Sequence, residues 1–256
     1  MSERAQTAGS APAESVSPGR IGWLDTLRGA AVISMVAYHA LWDAVYLHGT
    51  AMPWFTGTVG TVWQQATSQL FILIAGFSFG LDRAPWTRGA MLILIGGVIT
   101  GVTSVVQPPG IHYGILTLLG ASILLSAVGR HVRAPYPPLV GALVAAVLFV
   151  VTRRTADGIV GIGVWSAAVP FGWYETDWGA FLGFPSADFA SLDYFPLIPW
   201  FFLFRVGVHL QRMYRHTECR PSAGGAAWWG RHSLAVYLLH QPLLYGLAAL
   251  VEQLFP

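Results

Sequence analysis

Asp25, Arg28, His39 and Asp43 interrupt an otherwise apolar stretch, WLDTLRGAAVISMVAYHALWD, and their types and spacing could support chemistry. On a helix turning about 100° and rising about 1.5 Å per residue, Arg28 and His39 differ by roughly 20° in direction and about 16 Å along the axis. The same arithmetic puts Asp25 and Asp43 within about 60° of Arg28. The four side chains form one stripe, with a guanidinium near one end and an imidazole deep in the apolar part. A guanidinium holds phosphate or carboxylate through charge-assisted hydrogen bonds, and an imidazole exchanges a proton near neutral pH. Asp43, one turn beyond His39, is spaced to orient the ring or stabilise its charged form, as in hydrolase triads. An Asp25–Arg28 pair that only sets topology, with His39 hydrogen-bonding a neighbouring helix, explains the same residues without chemistry.

Composition limits what these groups can belong to. The 256 residues are 54% hydrophobic and 10% charged, whereas soluble domains carry about 25% charged residues. With a mean hydropathy of +0.56, the chain reads as an integral membrane protein. All fourteen basic residues are arginines, which excludes a retinal Schiff base on lysine. The arginines are dispersed in short loops, so the pI of about 8.9 reflects membrane orientation and no nucleic-acid partner is implied. A single cysteine, Cys219, excludes an internal disulfide framework and a multi-cysteine metal site. No metal is expected.

The elements that must position the stripe follow from apolar run length. The expected fold is all-α, a polytopic membrane helix bundle of about seven transmembrane helices, each of roughly 17 to 25 residues. They fall near 21–46, 58–81, 88–107, 112–129, 137–153, 195–213 and 231–253. Residues 1–19, rich in Ala, Ser, Pro and Glu, read as a disordered cytoplasmic tail, and 20–256 as one transmembrane domain. A large outer loop, about 154–194, joins helices five and six and holds many aromatics among Gly, Pro and Asp, a composition suited to an interfacial loop with short helices. Its segment 158–172 is apolar enough to be re-entrant, which would invert the last helices if it crossed. With the N-terminus cytoplasmic, eleven arginines, from Arg4 and Arg20 to Arg220 and Arg231, lie inside, while Arg153 and Arg154 lie outside; this is the positive-inside bias. The compartment expected is the plasma (inner) membrane, multi-pass.

Other polar residues in apolar runs are candidates. Gln65, Ser68 and Gln69 lead into Gly76 and Gly80 on the second span, a stripe that suits interhelical packing as well as substrate contact. Ser233, Tyr237 and His240 share a face of the last span and could reach the cavity of His39. Arg205 lies within the sixth span, where it either holds an anion or snorkels to the surface. His112 is expected at the outer mouth of the fourth span. Asp193 precedes the sixth, either shaping an entrance loop or serving as an acidic first turn. Trp54 and Trp200 are expected as interfacial anchors.

Several blocks carry a family likeness. Arg28, ten residues and His39 match the signature of the membrane acyltransferase family three. LDTLRGAAVISMVAYHALWD, LFILIAGFS (70–78), HYGIL (112–116), DYFPLIPW (193–200) and SLAVYLLHQPLL (233–244) together resemble the bacterial branch of the heparan-alpha-glucosaminide N-acetyltransferase family. The resemblance implies an enzyme moving an acetyl (acyl) group from cytoplasmic acyl-coenzyme A, with acetyl-CoA as donor, to an amino sugar or polysaccharide at the outer face. It implies His39 as general base or acyl acceptor, supported by Asp43, and Arg28, with Asp25 and Arg205, on the coenzyme. His240, Gln69, Asp193 and Tyr237 would contact acceptor. In animal lysosomal relatives the catalytic histidine lies farther from the arginine, and His48 is the nearest counterpart; a continued helix would point it about 200° from Arg28. Thr117 stands where many bacterial relatives have histidine. The partners implied are the lipid bilayer, acyl-CoA, a sugar acceptor and, as an open point, a second copy in a homodimer. Two other classes compete: a haem protein with His39 and His209 or His240 as axial ligands, and a transporter using the same buried charges, for which no internal repeat is found.

Overall fold

The computed structural model describes residues 21–131, 136–214 and 224–254. The tail expected at 1–19, Cys219 and the arginines Arg4, Arg20, Arg133, Arg215 and Arg220 lie outside the described residues. In chain order the helices are α1 (Gly22–Tyr46), α2 (Pro53–Thr56), α3 (Thr58–Phe79), α4 (Pro85–Val106), α5 (Ile115–Val128), α6 (Pro138–Val151), α7 (Leu197–Met213), α8 (Gly225–Arg231) and α9 (Ser233–Leu254). Seven of them, all but α2 and α8, coincide with the apolar runs. Pro85 and Pro138 start α4 and α6 at the first helical turn, where a missing N–H breaks no bond and the fixed φ suits the helix.

Three helical stretches, 85–106, 138–157 and 233–251, are long and apolar enough to cross a membrane. α5 has 14 residues, about 21 Å, less than the roughly 30 Å of a hydrocarbon core. α1 has the length, at 25 residues, but carries Asp25, Arg28 and Asp43. Apolar side chains such as Val98, Val102, Leu143, Val147 and Leu243 face outward, as they do where lipid replaces water. The core centres on α5, α3 and α7, where Ile72, Leu118 and Phe204 are fully enclosed.

Glycines decide which helices touch. A Cβ at Gly76 would overlap the Phe204 carbonyl, and one at Gly207 would overlap that of Leu73, so α3 and α7 cross backbone to backbone. α1 and α8 cross the same way at Gly29 and Gly230, against the carbonyls of Ala226 and Asp25. In a membrane such close approach replaces the hydrophobic drive between helices with van der Waals packing.

The long segment between α6 and α7 is not purely helical. β1 (Ile159–Ile162) and β2 (Trp165–Ala168) pair antiparallel, Ile159 opposite Ala168 and Ile162 opposite Trp165, around a turn with Gly163 at φ 54°. Strands of four residues reach about 13 Å, so 158–172 holds a short hairpin too short to span a hydrocarbon core of roughly 30 Å. The rest of the loop forms short 3₁₀ turns bearing the exposed Trp173 and Trp178. Trp200 departs from expectation. It is 5% exposed, packed on Phe149 and Phe195 with the Arg153 guanidinium 4.5 Å from its ring centre, so it is a core residue and no interfacial anchor. Trp54 is about half exposed. Arg153 also donates to Gln65 Oε1 and thereby ties α6 to α3.

Asp193 faces the start of α5 instead of beginning α7. The Ile115 amide lies 3.5 Å from its Oδ2, and the position beside a helix N-terminus favours the carboxylate. Burial outweighs that help and pushes Asp193 up to about 6. Because the folded chain prefers the protonated acid, Asp193 weakens the fold as pH rises from about 4 to about 6, and the loss is complete above that window. Asp193→Asn keeps the acceptor oxygen and removes the ionisation; thermal unfolding of the purified chain in detergent should show the variant gaining on the native protein across that window. Gly76→Ala should destabilise by about 1 to 3 kcal/mol through overpacking, whereas Gly97→Ala, with open space around the added methyl, should be neutral or gain up to about 1 kcal/mol from helix propensity. Melting temperatures of the two variants, compared with wild type, check this.

Candidate active site

The α1 stripe divides into two ends with different partners. Near its start Arg28 donates from Nη1 to Asp25 Oδ1 at 2.9 Å and from Nη2 to Ser78 Oγ at 2.7 Å. Ser78 gives its own proton to the Ile74 carbonyl at 2.7 Å, which leaves its oxygen free to accept from the guanidinium. Asp25 is buried beneath the α1–α8 crossing. Trp23 packs edge-on to Phe77 and Tyr214 and donates to the Tyr214 hydroxyl at 3.1 Å. The expected Asp25–Arg28 pair is therefore formed, and Ser78 of α3 completes it.

Midway along α1 the Trp63 indole donates to Ser34 Oγ at 2.8 Å, and Ser34 exchanges a hydrogen bond with Thr67 at 2.8 Å. These contacts lock α1 antiparallel to α3. They are independent of Gln69, which is half-buried on α3 and makes no hydrogen bond to the other candidate residues.

At the far half of α1 the partners come from α9. The His39 and His240 rings meet edge to face, centroids 4.9 Å apart at 72°. His240 Nδ1 lies 2.6 Å from the Tyr237 carbonyl. A carbonyl only accepts, so Nδ1 carries the proton and Nε2 presents a lone pair; that Nε2 is buried without a hydrogen-bond partner. Tyr237 packs beside His240, centroids 5.7 Å apart, and lies within electrostatic reach of Asp193. Four candidate residues, His39, His240, Tyr237 and Asp193, thus form a chain of neighbours across three parts of the sequence.

Asp43 takes a different partner from the one its spacing suggests. It is buried and accepts from Gln241 Nε2 at 2.9 and 3.3 Å, one bond to each oxygen; no hydrogen bond joins it to His39. Gln241, unmarked in the sequence, holds this carboxylate and leaves its own Oε1 buried and unsatisfied. His48 also departs from the helical extrapolation. α1 stops at Tyr46, and the His48 amide bonds back to the Asp43 carbonyl at 3.2 Å, which folds the residue over Asp43. Asp43 and His48 share an open cavity of about 710 Å³ walled by Leu47, Leu244, Leu247 and Val251.

Arg205 lies on α7 within electrostatic reach of Tyr136 and Arg212, and acts on His209 of the same helix as a like charge. His112 is structural, its Nε2 2.9 Å from the Pro109 carbonyl and its amide held by Ser191 at 2.9 Å. Among the described residues no group of three His, Cys, Asp or Glu side chains is arranged to hold a metal ion.

The arrangement offers a lone pair on one imidazole, a second imidazole in contact with it, a buried carboxylate and an adjoining cavity, all on the α1–α9 seam and separated along α1 from an arginine. The cavity is walled by Asp43 and His48 and by neither His39 nor His240; the two rings suit proton transfer to and from a nucleophile that reaches them along the seam. No curated protein and no solved structure matches the chain. A protein-family model described as heparan-alpha-glucosaminide N-acetyltransferase, catalytic, matches residues 20–242 and so takes in both ends of the α1 stripe and His240 on α9. On that match the chain belongs to the heparan-alpha-glucosaminide N-acetyltransferase catalytic family and is an acetyltransferase-type membrane protein.

Proposed function

We propose that the protein moves an acetyl group from cytoplasmic acetyl-coenzyme A to an amino sugar or polysaccharide at the outer face of the plasma membrane, through a bundle of seven spans with its N-terminus inside. The observation that carries this reading is the His39–His240 contact, set beside Asp43 and about 16 Å along α1 from the Arg28 site, in a chain of this family. Arginine placement supports the orientation: Arg88 pairs with Asp82 and Arg130 donates to the Asp82 carbonyl, at the same loop end as Arg83.

In this mechanism Arg28, oriented by Asp25, and Arg205 bind the coenzyme's phosphates, and the pantetheine arm extends along α1 toward His39. His39 takes the proton from the acceptor amine or hydroxyl as that group attacks the thioester carbonyl. The C–S bond then breaks, and the coenzyme leaves as a thiol with the proton returned by the imidazolium. His240 and Tyr237 position the acceptor, with Gln69 and Asp193 lining its approach, and Asp43, one turn along α1 from His39, stabilises the imidazolium charge. An acyl-histidine intermediate on His39 is the covalent variant of the same route. Edge-to-face rings in direct contact leave no room for a porphyrin between His39 and His240, which disfavours that axial pair.

A second assignment of the base has its own observation. His48 lies within electrostatic reach of Asp43 and lines the same cavity, a pairing in which a carboxylate supports an imidazole. Purified protein in liposomes, given labelled acetyl-coenzyme A and glucosamine, separates the two. His39→Ala should cost about 10²- to 10⁴-fold in turnover while His48→Ala keeps most of it. The reverse pattern moves the base to His48, and a wild-type protein that transfers no acetyl group contradicts the reading altogether.

A further inference from the structure

Three arginines among the described residues are half-buried: Arg28, Arg153 and Arg205. Arg28 has Asp25 and Ser78, and Arg153 has Gln65 with two aromatic faces. Arg205 has no hydrogen bond and no carboxylate among the described residues. What surrounds it is more positive charge. Arg205, His209 and Arg212 occur at i, i+4 and i+7 of α7, within about 60° of one another around the helix, and both arginines act on His209 as like charges. Like charges at this spacing oppose the helix, and a guanidinium half-buried among apolar side chains is costly without a partner. Nothing in the α6–α7 packing offsets either.

His209 makes the arrangement specific. It is 2% exposed, its ring pressed onto Gly141 of α6 where a Cβ would overlap it, with Tyr136 6.0 Å away between ring centres. Its Nδ1 is buried and has no hydrogen-bond partner. Tyr136 adds a hydroxyl within electrostatic reach of Arg205. A half-buried guanidinium, an orphaned imidazole nitrogen and a phenol, with a second guanidinium exposed one turn further on, make a donor set with no acceptor among the described residues.

We propose that Arg205, His209, Arg212 and Tyr136 form a phosphate-binding site between α6 and α7, distinct from the Arg28–Asp25–Ser78 cluster. The ligand is a phosphate ester. It reaches the site either as the phosphate end of coenzyme A, which rests on the acetyltransferase reading, or as an anionic lipid headgroup, which does not.

The full chain in nanodiscs of phosphatidylcholine, with or without phosphatidylglycerol, tests both sources. Coenzyme A affinity by calorimetry and melting temperature are read for wild type, Arg205→Gln, Arg205→Lys and His209→Gln. Loss of a charge-assisted contact should weaken ligand binding at least about tenfold in Arg205→Gln, with Arg205→Lys recovering most of it. A fall in coenzyme A affinity identifies the coenzyme; loss of the phosphatidylglycerol-dependent gain in melting temperature, with coenzyme A affinity unchanged, identifies the lipid. If Arg205→Gln does not fold, His209→Gln reads the same site. Variants that match wild type in both measurements, or a wild type that responds to neither ligand, overturn the proposal. A wild type that binds coenzyme A through Arg205 yet transfers no acetyl group contradicts the enzymatic reading and leaves this site standing.

Discussion

Polar side chains on α1 need partners, because in an apolar surround an unpaired polar group costs several kcal/mol, and Arg28, Ser34 and Asp43 each find one on another helix. That constraint organises the molecule. Arg28 is met by Ser78 and Ser34 by Trp63 and Thr67, all from α3, whereas Asp43 is met by Gln241 of α9. α1 is therefore the shared member of two helix pairs, one at each end. The proposed site lies where the second pair leaves polar capacity over: the lone pair of His240 Nε2 and the Oε1 of Gln241. Buried polar atoms that the fold leaves unsatisfied are where a substrate has hydrogen bonds to gain.

The glycine crossings make this division rigid. Gly76 and Gly207 bring α3 and α7 to backbone contact, and Gly29 and Gly230 do the same for α1 and α8. With α3 fixed to α7 and α1 clasped to α3, the Arg28 end has little freedom. The far end has fewer such contacts: α1 stops at Tyr46, His48 folds back, and an open cavity begins.

The helices were legible because apolar run length is a local property; α1, α3, α4 and α9 begin and end within a few residues of the expected runs. The Asp25–Arg28 pair was legible for the same reason, since i,i+3 neighbours meet on any helix. What lay between helices was not. Asp43 is spaced for His39 but bonds Gln241, because a primary amide 198 positions later leaves no mark on the local pattern. Trp200 has an anchor's composition and a core residue's surroundings, set by Phe149, Phe195 and Arg153. His48 was extrapolated along a helix that ends before it. The hairpin at 159–168 was hidden by an apolar glycine-rich stretch whose periodicity does not separate strand from re-entrant loop. Gly76 and Gly80 were rightly marked for close approach: one admits α7 and the other the Gln211 side chain.

In the proposed route the polar seam of α1 joins a donor site on one side of the bilayer to an acceptor site on the other. Proteoliposomes with glucosamine trapped inside and labelled acetyl-coenzyme A supplied only outside test it directly. Acetylated glucosamine should then accumulate inside vesicles that remain sealed to coenzyme A. Product that forms only when donor and acceptor share one compartment would contradict it.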